Sequence, residues 1–386
     1  MCLYPRHRHS LHCILPPHLS REIVRNGSKE QRERVLRTQA VDNTLRAMRL
    51  ARSGLARMGA QFQPGPIMVA GQKLRTIFDM KNSQEFPGLM ARSEGQANSS
   101  DVCINEAYEG LGATYDMYQE VFSRNSIDGQ GMPLHAHVHY GHDYDNAFWD
   151  GERMVLGDGD GDIFNRFTIA VDVIGHELAH GVTEHEGPLT YFVQAGALNE
   201  SLSDVFGSLV KQHLLKQKAD EADWLIGQGL FTKNVEGQAL RSMKAPGTAY
   251  DDNVLGKDPQ PARMRDYVHT WDDNGGVHIN SGIPNRAFYL VATQLGGYAW
   301  ERAGHIWYET LRDPRLKPNA TFLSFARLTV LSAARLFGSG SDEEKVVRDA
   351  WSQVDIRVSR ERVGEPLWGP GVQPPPQQSG QQPPAQ

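Results

Sequence analysis

Residues 167–185, FTIAVDVIGHELAHGVTEH, and 196–210, GALNESLSDVFGSLV, narrow the possible folds of this chain more than any other part of it. Each segment has the apolar recurrence of a helix. Each also carries ionisable residues four apart, His176 and His180 in the first, Glu200 and Asp204 in the second. On an α-helix such pairs share a face. Two imidazoles in that arrangement can grip one Zn²⁺, with Glu177 on the adjacent edge to take a proton from water activated by the metal. A catalytic zinc takes three protein ligands with an open position, and its histidines need partners that fix tautomer and orientation. Glu200 then supplies the third ligand, Asp204 orients His176, and Asn199 and Ser203 give polar support. The fold must lay these two helices side by side.

The rest of the chain must be able to enclose that pair. Its 386 residues suggest two or three folded units, and with 39% hydrophobic and 22% charged residues it is not a disordered, collagen-like or coiled-coil chain. Net charge is 40 − 46 = −6, which gives no reason to expect a nucleic-acid partner. The charge is unevenly spread. Residues 1–60 carry 12 Lys/Arg against 4 Asp/Glu, a net of +8, so the other residues carry 28 against 42, a net of −14. Within 20–58 the recurrence of Val35, Leu36, Leu45, Met48 and Leu55 predicts one or two amphipathic helices, a basic head whose charge favours docking on the acidic body.

The segment GAQFQPGPIMVAG reads as a linker. From 73 to 161, strand-like KLRTIFDM, PLHAHVHYG and RMVLG accompany the helical DVCINEAYEGLGATYDMYQEVF, and from 170 to 358 the pattern is mostly helical. The Pro/Gln-rich GPGVQPPPQQSGQQPPAQ cannot bury enough surface to fold. The expected organisation is a basic head at 1–60, a linker at 61–71, an N-terminal lobe at 72–190, a helical lobe at 191–362 and a disordered tail at 363–386. Cys2, Cys13 and Cys103 form no CxxC pair and imply no disulfide framework. No apolar run is long enough to span a bilayer and no Sec-type signal opens the chain, so no membrane partner is expected.

From about Arg75 to Val358 the chain resembles the thermolysin family of zinc metallopeptidases. The blocks YDNAFWDGERMVLGDGDG, VDVIGHELAHGVTEH, GALNESLSDVFG, RSM and DDNGGVHINSGIPNRAFYL carry the likeness, in the family's order. The resemblance implies an α+β, two-lobed zincin fold, with a β-rich N-terminal lobe, a mainly α C-terminal lobe and the zinc cleft between them. It implies His176, His180 and Glu200 as zinc ligands, Glu177 as general base, Tyr191 and His278 as stabilisers of the oxyanion, and Asp273 as the carboxylate orienting His278. Asn146 and the Ala147 backbone would hold the substrate main chain, and Arg241 its carbonyl. Phe164, Val173, Leu240 and Ile226 would line the apolar pocket for the side chain after the scissile bond. The implied activity is that of a monomeric endopeptidase cutting peptide or protein substrates on the amino side of bulky apolar residues.

CILPPHLS at 13–20, followed by basic helices, is similar to the short precursor segment of a protealysin-like branch of that family. It implies a zymogen. The head is expected to occlude the cleft, anchored by the Cys13–Leu19 segment, and Cys13 is expected to approach the zinc, because a thiolate is a strong Zn²⁺ ligand. The resemblance also implies secretion, whereas the missing Sec-type signal points to the cytoplasm or to non-classical export.

The chain departs from the family pattern at its calcium pair. The matching positions are Asp172, Lys211, Asp223, Leu225 and Gln228, where only two acids remain, so the calcium pair is expected to be absent with Lys211 in its place. GDGDGD at 157–162 has Ile163 and Ile169 where a calcium loop needs Gly and Glu, and reads as a turn before the cleft helix. His135, His137 and His139 alternate and are expected on one face of a surface strand. Two further readings are a zinc aminopeptidase, whose GxMEN-like strand does not occur here, and a non-catalytic binding protein, against which the intact Glu177 and ligand trio stand.

Overall fold

The structure, a computed structural model, describes residues 12–57 and 72–359. The expected linker at 61–71 and tail at 363–386 lie outside the described residues. The elements in chain order are β1 (His12–Cys13), α1 (Pro17–Asn26), α2 (Lys29–Arg57), β2 (Arg75–Asp79), β3 (Leu89–Ser93), α3 (Val102–Phe122), β4 (Leu134–Val138), β5 (Ala147–Trp149), β6 (Met154–Leu156), α4 (Val171–Glu186) and α5 (Val193–Leu215). There follow β7 (Leu225–Ile226), β8 (Arg241–Ser242), β9 (Asp251–Asp252), β10 (Gly256–Lys257), α6 (Asp273–Asn280), α7 (Gly282–Leu295), α8 (His305–Leu311), α9 (Phe322–Phe337) and α10 (Asp342–Gln353). Among the described residues no helix is long and apolar enough to cross a membrane.

A six-stranded sheet in the order β1-β5-β6-β4-β2-β3 builds the N-terminal lobe, parallel across β6-β4-β2 and antiparallel elsewhere. The C-terminal lobe is helical, α5 to α10. Between Leu215 and Asp273, however, there is no α-helix, only two short hairpins and a 3₁₀ turn, where the sequence predicted mostly helix. Glycine and proline at positions such as 227, 229, 237, 246 and 247 divide that stretch too finely for a helix to propagate.

The sheet takes its edge strand from the head. β1 pairs antiparallel with β5, His12 opposite Trp149 and Cys13 opposite Phe148. Ile14, Leu15, Leu19, Ile23 and Val35 of the head are 5% exposed or less and belong to the core that runs through both lobes. Burying five such side chains contributes roughly 8–15 kcal/mol at about 1.5–3 kcal/mol each. The charge complementarity does appear, as Arg34–Asp162 at 2.8 Å, Arg37–Asp143 at 3.7 Å and Arg21–Asp272. Partly exposed pairs of that kind are worth about 0–1 kcal/mol each. Apolar burial, more than charge, holds the head on.

α4 and α5 are the most extensively packed helix pair. Small residues permit it. A Cβ at Gly207 of α5 would lie 2.4 Å from the Asp172 carbonyl oxygen of α4, and one at Gly175 would lie 3.1 Å from the Gly207 Cα. This contact brings the polar faces of the two helices together beneath β5.

Candidate active site

His176 and His180 on α4 are fully buried, and Glu200 on α5 is 1% exposed. His176 donates from Nδ1 to Asp204 Oδ1 at 2.8 Å, and His180 Nδ1 lies 2.8 Å from Asn199 Oδ1 and 3.0 Å from Ser203 Oγ. With their Nδ1 atoms so committed, the two Nε2 lone pairs face each other at 3.1 Å. Glu200 Oε2 lies 3.6 Å from His176 Nε2, Glu200 Oε1 lies 3.5 Å from His180 Nε2, and Oε2 is buried with no hydrogen-bond partner. Ligand atoms each about 2.0–2.1 Å from a tetrahedral zinc stand about 3.3–3.4 Å apart. Converging lone pairs and an orphaned carboxylate oxygen at that spacing fit a dication, and fit little else.

Asp204 does more than orient His176. It takes Arg241 Nε at 2.9 Å and Nη2 at 2.8 Å, and Asn285 Nδ2 at 2.8 Å. Burial pushes its carboxyl up, but Arg241 and then His176 outweigh that and hold it far below the ordinary aspartate range.

Glu177 accepts from the Trp149 N–H at 3.1 Å, which fixes the carboxylate against β5. Across the cleft, Tyr191 Oη donates to Glu200 Oε1 and lies 3.3 Å from His278 Nε2. The approach to His278 explains its placing. Asp273, Asn274, Gly275 and Gly276 all have positive φ (53°, 51°, 86° and 74°), so the chain doubles back before the regular turns of α6. Glycine tolerates that conformation at two of the four positions without strain. As a result Asp273 accepts both the His278 N–H at 2.9 Å and its Nδ1 at 2.7 Å. Burial opposes charge on His278, but Asp273 and next Glu200 outweigh it and raise its pKa to about 9.

The head runs through this cleft as a strand. Cys13 O is 3.1 Å from His278 Nε2, Ile14 N donates to Ala147 O at 3.1 Å, Arg241 Nη1 donates to Ile14 O at 3.3 Å, and Leu15 N donates to Asn146 Oδ1 at 3.1 Å. Ile14 is fully buried in the same core cluster as Phe164, Val173, Ile226 and Leu240. One expectation needs correcting. The Cys13 thiol lies 3.9 Å from Arg46 Nη2 and packs with Tyr140, Tyr144 and Phe148, outside the His176–His180–Glu200 group. Residues opposite each other in a ladder put their side chains on one face, so pairing with Phe148 carries the thiol away while the carbonyl faces the site.

The thermolysin metallopeptidase catalytic-domain family matches residues 68–184, and the family's α-helical domain matches residues 187–356. The chain belongs to the thermolysin family. An extracellular metalloprotease of Pectobacterium carotovorum is 51% identical over 348 residues, 90% of this chain and 97% of that protein. Protease PrtS of Photorhabdus is 50% identical over 350 residues, 90% and 93% of the two chains. The solved precursor of protealysin, a metalloproteinase from Serratia proteamaculans, superposes with a TM-score of 0.81 at 55% identity, covering 89% of this chain and 99% of that one. This thermolysin-family chain is a zinc-dependent metalloendopeptidase.

Several contributors to the thermolysin-type site were not legible in advance. Asp42 of α2 accepts from Tyr144 Oη at 2.5 Å and Asn146 Nδ2 at 2.9 Å, so the head grips the same asparagine that binds Leu15. Its sign was an acid within a basic, apolar-periodic helix. Asn285 lies in a quoted block, and its sign was an amide on the apolar face of α7. The Trp149 N–H is a backbone group that no residue pattern marks. His135 and His137 lie on β4 and pack against Phe78, but His139 follows the strand with φ of 53° and binds two carboxylates, so the shared face expected for the three holds for only two; nor is β4 a surface strand, since it lies between β6 and β2 with His137 buried.

Proposed function

We propose that this endopeptidase is synthesised as a zymogen whose head occupies the cleft in the manner of a substrate, and that it cleaves on the amino side of bulky apolar residues. The observation that carries this is the main-chain ladder from Cys13 to Leu15. Asn146, Ala147 and Arg241, the groups assigned to the substrate's main chain and carbonyl, each have a head backbone atom as partner. An extended peptide added to the β5 edge gains main-chain hydrogen bonds whatever its sequence, and selection falls to the pocket for alternate side chains. Ile14 stands for the residue after the scissile bond, and Phe164, Val173, Ile226 and Leu240 favour an apolar one.

Zn²⁺ held by His176, His180 and Glu200 supplies a Lewis acid for the peptide carbonyl and acidifies water. Glu177, anchored by the Trp149 N–H, takes the proton of the attacking water and returns it to the leaving amine. Tyr191 Oη and His278 Nε2 donate to the oxygen on which charge develops, the role Cys13 O now fills at His278. Arg241 and Asn146 hold the chain on the leaving side. The reading also includes the loss of the calcium pair, supported by Lys211 Nζ lying 2.8 Å from Asp223 and 3.3 Å from Asp172.

Glu177→Ala tests the mechanism. The variant should retain one zinc and its head yet cleave an N-blocked, internally quenched peptide at least ~10²-fold more slowly, the lower end of general acid–base contributions. Cleavage near the wild-type rate would overturn the assignment of Glu177, and wild-type hydrolysis that survives exhaustive chelation would overturn the zinc mechanism.

A further inference from the structure

A second set of metal-type donors meets on the N-terminal lobe, apart from the zinc ligands and unused by the peptidase. The Asp101 carboxylate, the Cys103 thiol and the His139 ring each offer a donor atom, all within 4.8 Å of one another. They come from two segments, the start of α3 and the turn after β4, and Asp158 from the β6–α4 connection joins them through His139.

Each donor is oriented through its other end. Asp101 caps α3, its Oδ1 accepting the Cys103 N–H at 2.8 Å, which leaves Oδ2 facing His139 Nε2 at 3.0 Å. Asp158 grips His139 Nδ1 at 2.8 and 2.9 Å, the carboxylate–histidine arrangement that fixes a ligating imidazole with Nε2 outward. Cys103 is held by the first turn of α3 and is 6% exposed. The 3.0 Å between Oδ2 and Nε2 is a little less than the roughly 3.3 Å that separates two N/O ligands of one tetrahedral zinc. The Asp101 and His139 side chains are 36% and 19% exposed, so an ion can enter from solvent.

We propose that Asp101, Cys103 and His139 form a binding site for a borderline divalent cation of the zinc type, with Asp158 as the carboxylate that orients His139. A donor set of one carboxylate, one thiolate and one imidazole selects such an ion over calcium or magnesium, which take oxygen. Three protein donors leave a position for water. Binding releases the proton now shared between Asp101 and His139 and the thiol proton of Cys103, and the ion ties the N-terminus of α3 to the turn after β4.

Cobalt is the probe, because thiolate-to-Co²⁺ charge transfer absorbs in the near ultraviolet and the His176–His180–Glu200 site contains no sulfur. The full chain, with one zinc already bound, is titrated with Co²⁺. The expected result is one further equivalent bound with a thiolate band. The band should be unchanged in Cys13→Ser and lost in Cys103→Ala. Asp158→Asn should weaken the additional binding about 10–100-fold, the usual cost of removing a carboxylate behind a ligating histidine. Circular dichroism of the full chain, and peptidase activity measured after the head has been removed, show that each variant is folded. Binding of a single metal, a second metal without a thiolate band, or a band that follows Cys13 would each overturn the proposal and leave His139 as an imidazolium held between two acids.

Discussion

Asp204 is the residue on which the most of the site depends. It joins the zinc-facing His176, the substrate-facing Arg241 and Asn285 of α7 in one buried cluster. Arg241 is 2% exposed, and although burial disfavours its charge, Asp204 outweighs that and raises its pKa. Removing the carboxylate strands a buried guanidinium, which costs about 3–5 kcal/mol. It also frees His176 to turn, and losing such a partner weakens metal binding about 10–100-fold. Asp204→Ala should therefore lose both. Chemical denaturation of the zinc-loaded protein, together with competition against a chelator, separates the two effects. Wild-type zinc affinity in a folded Asp204→Ala protein would remove Asp204 from the metal's support.

At the scale of elements, β1 and α1 decide whether the cleft is open, and α1 carries a titratable group that the body buries. His18 Nε2 is 2.9 Å from Tyr250 Oη, and burial lowers its pKa to about 3, assisted by His278, Arg21 and Arg241 against the pull of Asp273. Once the head lifts off, the imidazole returns to about 6.5. A group whose pKa is depressed in the docked state contributes docking free energy above pH 6.5, and that contribution falls away as the pH drops toward 3. By this linkage His18 alone should shift the docking equilibrium toward release about 30-fold between pH 8 and pH 5. Asp42 and Asp145, whose carboxyls burial raises, act in the opposite sense. Comparing Glu177→Ala with Glu177→Ala/His18→Gln cancels them. Hydrogen exchange of the α1 amides, corrected for intrinsic rates, should show the extra acid release only in the protein that keeps His18; equal pH dependence in both would rule the histidine out.

Across the whole molecule, Lys211 sits where α4, α5 and the segment leading into β7 meet, paired with Asp172 and Asp223. Burial works against its charge, but Asp172 and then Asp223 outweigh it and raise its pKa, so the ammonium stays charged in place. A calcium ion needs six to eight oxygens, whereas here a fixed cation already stands between the only two acids at these positions. Millimolar calcium should leave the melting temperature of the zinc-loaded enzyme almost unchanged. A rise of many degrees that disappears in Asp172→Asn would show a surviving calcium site, and the same rise in both proteins would put the ion elsewhere.

The sequence by itself determined the chemistry of helices. The i,i+4 spacing of His176 with His180 and of Glu200 with Asp204 needs only the pitch of an α-helix, so the zinc trio and the His176 partner were legible before any fold was known. The helix at 102–122 and the strands at 75–79, 134–138 and 154–156 were legible for a similar reason, since the period of the apolar positions is local. Contacts between distant segments were not. That Asp42 would reach Asn146, that Cys13 would turn its carbonyl and not its thiol to the site, and that His139 would leave its strand for Asp101 and Asp158 depend on register and on left-handed turns. Nothing in the local residue pattern encodes these. The charge asymmetry pointed to docking and its ion pairs formed, but burial is a property of the assembled surfaces, and only the tertiary structure decided that five apolar side chains of the head join the common core.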